Sequence, residues 1–92
     1  MFIRYNTTLQ HRISLIPELR RWGILSTAAC NAEEDNDYRS AAILWAKAEK
    51  FASQDMNKKV ASLRSSLCRK KCRSGVVPDN VLIHYIDNAF RR

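Results

Sequence analysis

AEEDNDYRSAAILWAKAEKFASQDMNKKVASLRSSLC, residues 32–68, holds two apolar repeats of helical period separated by a short polar break. In the first, Tyr38, Ala41, Ala42, Trp45, Ala48 and Ala52 mark one face, and Leu44 and Phe51 lie on an adjacent stripe. In the second, Met56, Val60, Leu63 and Leu67 follow at spacings of four, three and four, a narrow coiled-coil-like seam. Its other side carries Lys58, Lys59, Ser62, Ser65, Ser66, Arg69 and Lys70. Asn36 or Asp37 suits the N-cap of the first helix, with acidic groups near its positive end. Gln54-Asp55 breaks the pattern, and Asp55 suits the N-cap of the second. The spacing predicts helices over 37–53 and 56–72. The small alanines let a neighbouring helix approach closely, and Trp45 supplies a large buried area.

Outward from this pair, two glycines (Gly23, Gly75) and two prolines (Pro17, Pro78) punctuate the chain. Pro17 fits the first turn of a helix, where its missing N–H costs nothing. Trp22, Leu25, Ala28, Ala29 and Ala32 then recur at helical spacing and predict a helix over 18–34. The basic helix is expected to stop at Ser74-Gly75. Pro78-Asp79-Asn80 opens a last segment with Leu82, Ile86 and Phe90 at i, i+4 and i+8, a short C-terminal helix. Near the start, Leu9, Ile13 and Ile16 fit a helical face, and Phe2-Ile3-Arg4-Tyr5 reads as extended. The fold class expected is all-α: a small bundle built on a central hairpin, about 28–73, within a single domain of residues 1–92. Trp45, Leu44, Phe51, Leu63 and Leu67 are its expected core.

Ninety-two residues bury only about 60–65% of their unfolded surface, so the core is thin. The hydrophobic fraction is 46%, but much of it is alanine, which adds little burial per side chain. Marginal monomer stability follows, and homo-oligomerisation or partner binding is a natural remedy. The formal net charge of +7 is unevenly spread. Residues 33–57 are net acidic, whereas residues 58–73 carry Lys58, Lys59, Arg64, Arg69, Lys70, Lys71 and Arg73 with no acid. Such a polarised field attracts phosphate, an acidic protein surface or another copy. An odd number of cysteines makes no disulfide framework. No run of about 18 apolar residues offers a membrane span. The N-terminus lacks the apolar core and cleavage site of a secretory signal. A cytoplasmic location is expected.

No pattern points to catalysis or to a cofactor. Cys68 and Cys72 sit four apart on one helix, two ligands where a structural zinc site needs four, and Cys30, His11 and His84 are distant in sequence. Burial of Cys68 as a small hydrophobe is the simpler reading. No nucleophile stands beside a base, and no glycine-rich phosphate loop is present. The cluster Glu33, Glu34, Asp35 and Asp37 reads as capping and solvated charge. The expectation is a binding module, not an enzyme. One version binds nucleic acid: the two helices and the Ser53-Gln54-Asp55 turn as a helix-turn-helix, with Lys58, Lys59, Arg69, Lys70, Lys71 and Arg73 on phosphate. The cations run to the far end of the helix, however, whereas recognition helices read bases mainly from their first half. The other version binds protein. Leu44, Phe51, Val60, Leu63 and Leu67 would be apolar anchors, and Arg64, Arg69 and Lys70 a polar rim steering an acidic partner.

Residues 28–68 resemble the ANR family, the AraC negative regulators of enteric pathogens. The resemblance rests on Ala28-Ala29, Ala32-Glu33-Glu34, Tyr38, Ala41-Ala42, Leu44-Trp45, Ala48, Ala52, Asn57, Arg64 and Cys68. It covers a little under half of the chain and leaves out 1–27 and 76–92. The PerC-like activators share the Ala-Ala…Trp and Arg…Cys parts of the pattern. The ANR resemblance implies a helical, self-associating protein that binds an AraC-type transcription activator and impairs its dimerisation or DNA binding, damping virulence genes. It also implies, for some members, a link to nucleoid-associated proteins. The PerC-like resemblance implies a DNA-binding activator, the alternative expectation.

Overall fold

Residues 8–73 and 76–91 are described by the computed structural model. They form α1 (Leu9–Ser14), a 3-10 turn (Glu18–Arg20), α2 (Arg21–Glu34), α3 (Tyr38–Phe51), α4 (Asp55–Lys71) and α5 (Asp79–Phe90), with no strand among the described residues. The expected extended segment at Phe2–Tyr5 and the expected stop at Ser74-Gly75 lie outside those residues.

Local chemistry sets most of the boundaries. Thr8 caps α1, its hydroxyl accepting from the His11 N–H at 3.1 Å. Between α2 and α3 the chain turns within three residues. Asn36 takes a φ of 60°, the left-handed conformation that asparagine tolerates better than most residues. The Asn36 and Asp37 N–H groups then return to the Glu33 and Ala32 carbonyls at 3.0 and 2.8 Å, closing α2 with a Schellman motif. Asp37 at once caps α3 by accepting from the Ser40 N–H and hydroxyl at 3.3 and 2.7 Å. Two expected caps are displaced. Pro17 precedes the 3-10 turn instead of opening the α-helix, and Gln54, not Asp55, is the N-cap residue of α4.

The helices stack side by side. α3 lies between α2 and α4, α2 between α3 and α5, and the short α1 rests on α5. The Leu9 N–H donates to Asp79 Oδ2 at 2.9 Å, and Arg12 pairs with Asp87, fastening α1 to α5. The core is rich in alanine: Ala28, Ala29, Ala32, Ala41, Ala48 and Ala61 are all fully buried, filled in by Ile13, Leu25, Leu44, Trp45, Leu82 and Ile86. Small side chains bring helix backbones close, and Ser65 exploits this on α4 by donating its hydroxyl to the Ala42 carbonyl at 2.9 Å.

The stacking order makes α4 an edge helix, and its orientation overturns part of the expected core. Its inward face is the small-residue stripe Ala61, Ser65 and Cys68. Leu63 and Leu67, expected in the core, are 61% and 46% exposed, and Met56 and Val60 on the same seam are exposed as well. Leu44, expected both in the core and as a surface anchor, is fully buried, which fits the first role and removes the second. Phe51 is half-buried beneath the Arg21 guanidinium, 5.3 Å from the ring centroid.

Candidate protein-binding face of the edge helix

α4 presents its apolar seam to solvent because α3 needs the seam's opposite side. Three contacts fix that register along the whole helix. Ser65 bonds the α3 backbone at Ala42, the Arg39 Nε donates to the Arg73 carbonyl at 2.8 Å, and Lys58, Lys59 and Ser62 share a shallow pocket with Glu49 and Lys50. The two helices therefore run antiparallel over their full length. They do not cross at the about 90–120° typical of a helix-turn-helix.

A fourth contact ties α4 across α3 to α2. Glu33, near the end of α2, accepts from Trp45 Nε1 at 2.6 Å and from Arg64 Nε and Nη2 at 3.1 and 3.0 Å. The Arg64 guanidinium also lies 5.5 Å from the Trp45 ring centroid, and Trp22 packs against Trp45 at 6.4 Å. A buried indole N–H needs an acceptor, and a two-pronged Arg–carboxylate pair supplies both charge and direction. The Glu33 hydrogen bond holds the Arg64 proton more tightly than in free arginine. Burial, reinforced by the Glu33 charge, pushes the Cys30 and Cys68 thiols up, so both favour the unreactive protonated form. Arg64, expected in the polar rim, is thus committed to Glu33.

The remaining cations stand free of acids. Lys58, Lys59, Arg69, Lys70, Lys71 and Arg73 are exposed, and none forms an ion pair among the described residues. Lys71 lies over the Tyr38 ring at 5.0 Å. On the helix wheel, Lys59 and Lys70 border the seam on one side, and Arg64 and Lys71 on the other. Of the expected protein-binding residues, Val60, Leu63, Leu67 and Lys70 share this helix surface, whereas Arg69 lies on the far side of the wheel from the seam. Leu44 and Phe51 do not join it.

The three cysteines are free, and among the described residues no three His, Cys, Asp or Glu side chains gather as metal ligands. No helix of the described residues is long and apolar enough to cross a membrane. Tyr85, buried on α5, donates toward Asp35 and Asp37 at 3.1 and 3.2 Å. Burial and those carboxylates push its phenol well above the usual tyrosine range. This cluster fastens α5 to the α2–α3 turn. Sequence reading took the whole acidic group as caps and solvated charge and missed the roles of Glu33 and Asp35. The available signals were a tryptophan requiring an acceptor and an acid adjoining an alanine face.

No family model, no curated protein and no solved structure matches this chain.

Proposed function

We propose that this chain is a regulator that acts by direct protein contact, of the kind the ANR resemblance implies. It binds an AraC-type transcription activator in the cytoplasm and impairs that activator's dimerisation or DNA binding, performing no chemistry itself. The observation that carries this reading is the open seam Met56, Val60, Leu63 and Leu67 on an edge helix rimmed by unpaired cations. Four large apolar side chains at coiled-coil spacing on one solvent face are what a partner helix covers. The stack of α2 and α3 behind α4 supplies the platform. Self-association belongs to the same proposal, since Leu15, Leu19 and Phe90 leave a second apolar area at the opposite edge. A single 10.6 kDa species in sedimentation at high concentration would remove that part.

The DNA-binding reading is favoured by the acid-free run of exposed cations on α4. The antiparallel helix pair speaks against it, as does an apolar strip in the middle of the surface that would meet phosphate. Titrating the protein with a purified AraC-type regulator, and separately with duplex DNA at two salt concentrations, separates the two. A saturable regulator complex with weak duplex binding is the expected result. Tight duplex binding with a steep salt slope and no regulator complex would overturn the proposal.

A further inference from the structure

Granting that the exposed α4 seam is the docking face, we infer that its occupant is an acidic amphipathic helix, not a second copy of this chain and not a duplex. The argument is geometric first. Met56 to Leu67 spans twelve residues, about 16 Å of helix, so the face accommodates about three turns of a partner. The 4-3-4 spacing suits a complementary helix repeating apolar residues at the same period. It does not suit an extended strand, because α4 offers no free backbone edge.

Charge then selects the partner. The seam is bordered by Lys59 and Lys70 on one side and Lys71 on the other, and the one acid of α4, Asp55, lies at its far N-terminal end. A second copy brought onto the same face would press lysine against lysine at both borders. An acidic helix places Glu or Asp where those lysines wait, at the flanking positions that decide helix pairing. Duplex DNA meets the cations but leaves the leucines against a hydrated phosphate groove. The remaining cations, Lys58 and Arg69, extend the positive field beyond the contact and steer approach.

The test uses the full chain and fluorescent synthetic helices of about fourteen residues. One carries leucines at 4-3-4 spacing with glutamates at the flanks, one has lysines at the same flanks, and one has glutamates with the leucines scrambled. The acidic helix should bind about tenfold or more tightly than either control, and its affinity should fall as salt rises. Leu63→Glu should abolish binding while leaving the thermal midpoint within a few degrees of wild type. The double variant Lys59→Glu, Lys70→Glu should reverse the preference toward the lysine helix, which guards against a Leu63→Glu result that reflects folding. Equal binding of the acidic and basic helices, or binding that Leu63→Glu leaves intact, overturns the inference. A dimer dissolved by Leu63→Glu, or duplex binding abolished by it, assigns the face to those occupants and overturns it too. An AraC-type regulator assayed in parallel separates this inference from the proposed function. If the regulator binds and the acidic helix does not, the inference falls alone. If the acidic helix binds and the regulator does not, the inference stands and the regulator assignment falls.

Discussion

The carboxylate of Glu33 serves two partners at once, and both would lose by its removal. Trp45 is 3% exposed, so without Glu33 its indole N–H has no acceptor in the core. Glu33→Ala should cost about 1–3 kcal/mol in chemical denaturation, the cost of an unpaired buried polar group. Trp45→Ala removes ring packing as well and should cost about 3–5 kcal/mol. Near wild-type stability of Trp45→Ala would contradict the packing of α2, α3 and α4 around it. Tyr85 gives a prediction in pH. Its phenol is held protonated in the folded chain by burial, then by Asp37 and Asp35, and ionises more easily once unfolded. Its stabilisation is therefore whole below pH of about 10 and is lost as pH rises beyond it, since the unfolded state sheds the proton first. Denaturant midpoints of wild type and Tyr85→Phe should differ clearly at pH 8, by about 1 kcal/mol, and converge by pH 11. A gap that widens with pH would refute the sign.

At the scale of elements, the decisive question is which side of α4 faces in. If Ala61 lies against α3, as its complete burial indicates, Ala61→Leu forces three extra heavy atoms into a backbone-close contact and should cost about 1–3 kcal/mol or more. Leu63→Ala should change stability by less than about 0.5 kcal/mol, because the side chain already meets water. The opposite ranking in thermal melts would turn the helix over. This orientation was the part of the fold least legible in the sequence. The helices themselves were plain, because Trp45 with its alanines and Leu82, Ile86 and Phe90 repeat at helical period, and Asp37 marks a cap. For α4, hydropathy chose the larger side chains, Leu63 and Leu67, as the buried face. Helix proximity chose the small ones, since a wall of alanine on α3 accepts Ala61, Ser65 and Cys68 more closely than leucines. Leu44 read both as core and as surface anchor, because its stripe adjoins the Ala41–Trp45 face. Its burial comes from α2 and α4 flanking α3 on both sides, which no single-helix pattern reveals. Most residues that carry the ANR resemblance, among them Ala28, Ala29, Ala32, Ala41, Ala42, Leu44, Trp45, Ala48 and Cys68, are buried, and Glu33 and Arg64 form the clasp beside them. That motif therefore describes how three helices pack. The proposed binding residues Val60, Leu63 and Leu67 stand between its positions.

Across the whole molecule the stack ends in two edges, and they differ in kind. One is α4, with a leucine seam between lysines. The other is the α1–α5 side, where Leu15, Leu19 and Phe90 are exposed and Arg20 lies over the Phe90 ring at 5.1 Å. Because Lys58, Lys59, Arg69 and Lys70 meet no acid among the described residues, changing all four to glutamine should leave the helical circular dichroism signal intact. It should also weaken association with acidic partners and increase its tolerance of salt. Collapse of the helical signal would show these side chains to be structural. The most direct test of the account follows the backbone amides of ¹⁵N-labelled protein as an AraC-type regulator is added. Shifts and broadening concentrated along Met56, Val60, Leu63 and Leu67, with the α1–α5 edge unmoved, are the predicted result. Perturbation confined to Leu15, Leu19 and Phe90, with α4 silent, would contradict it.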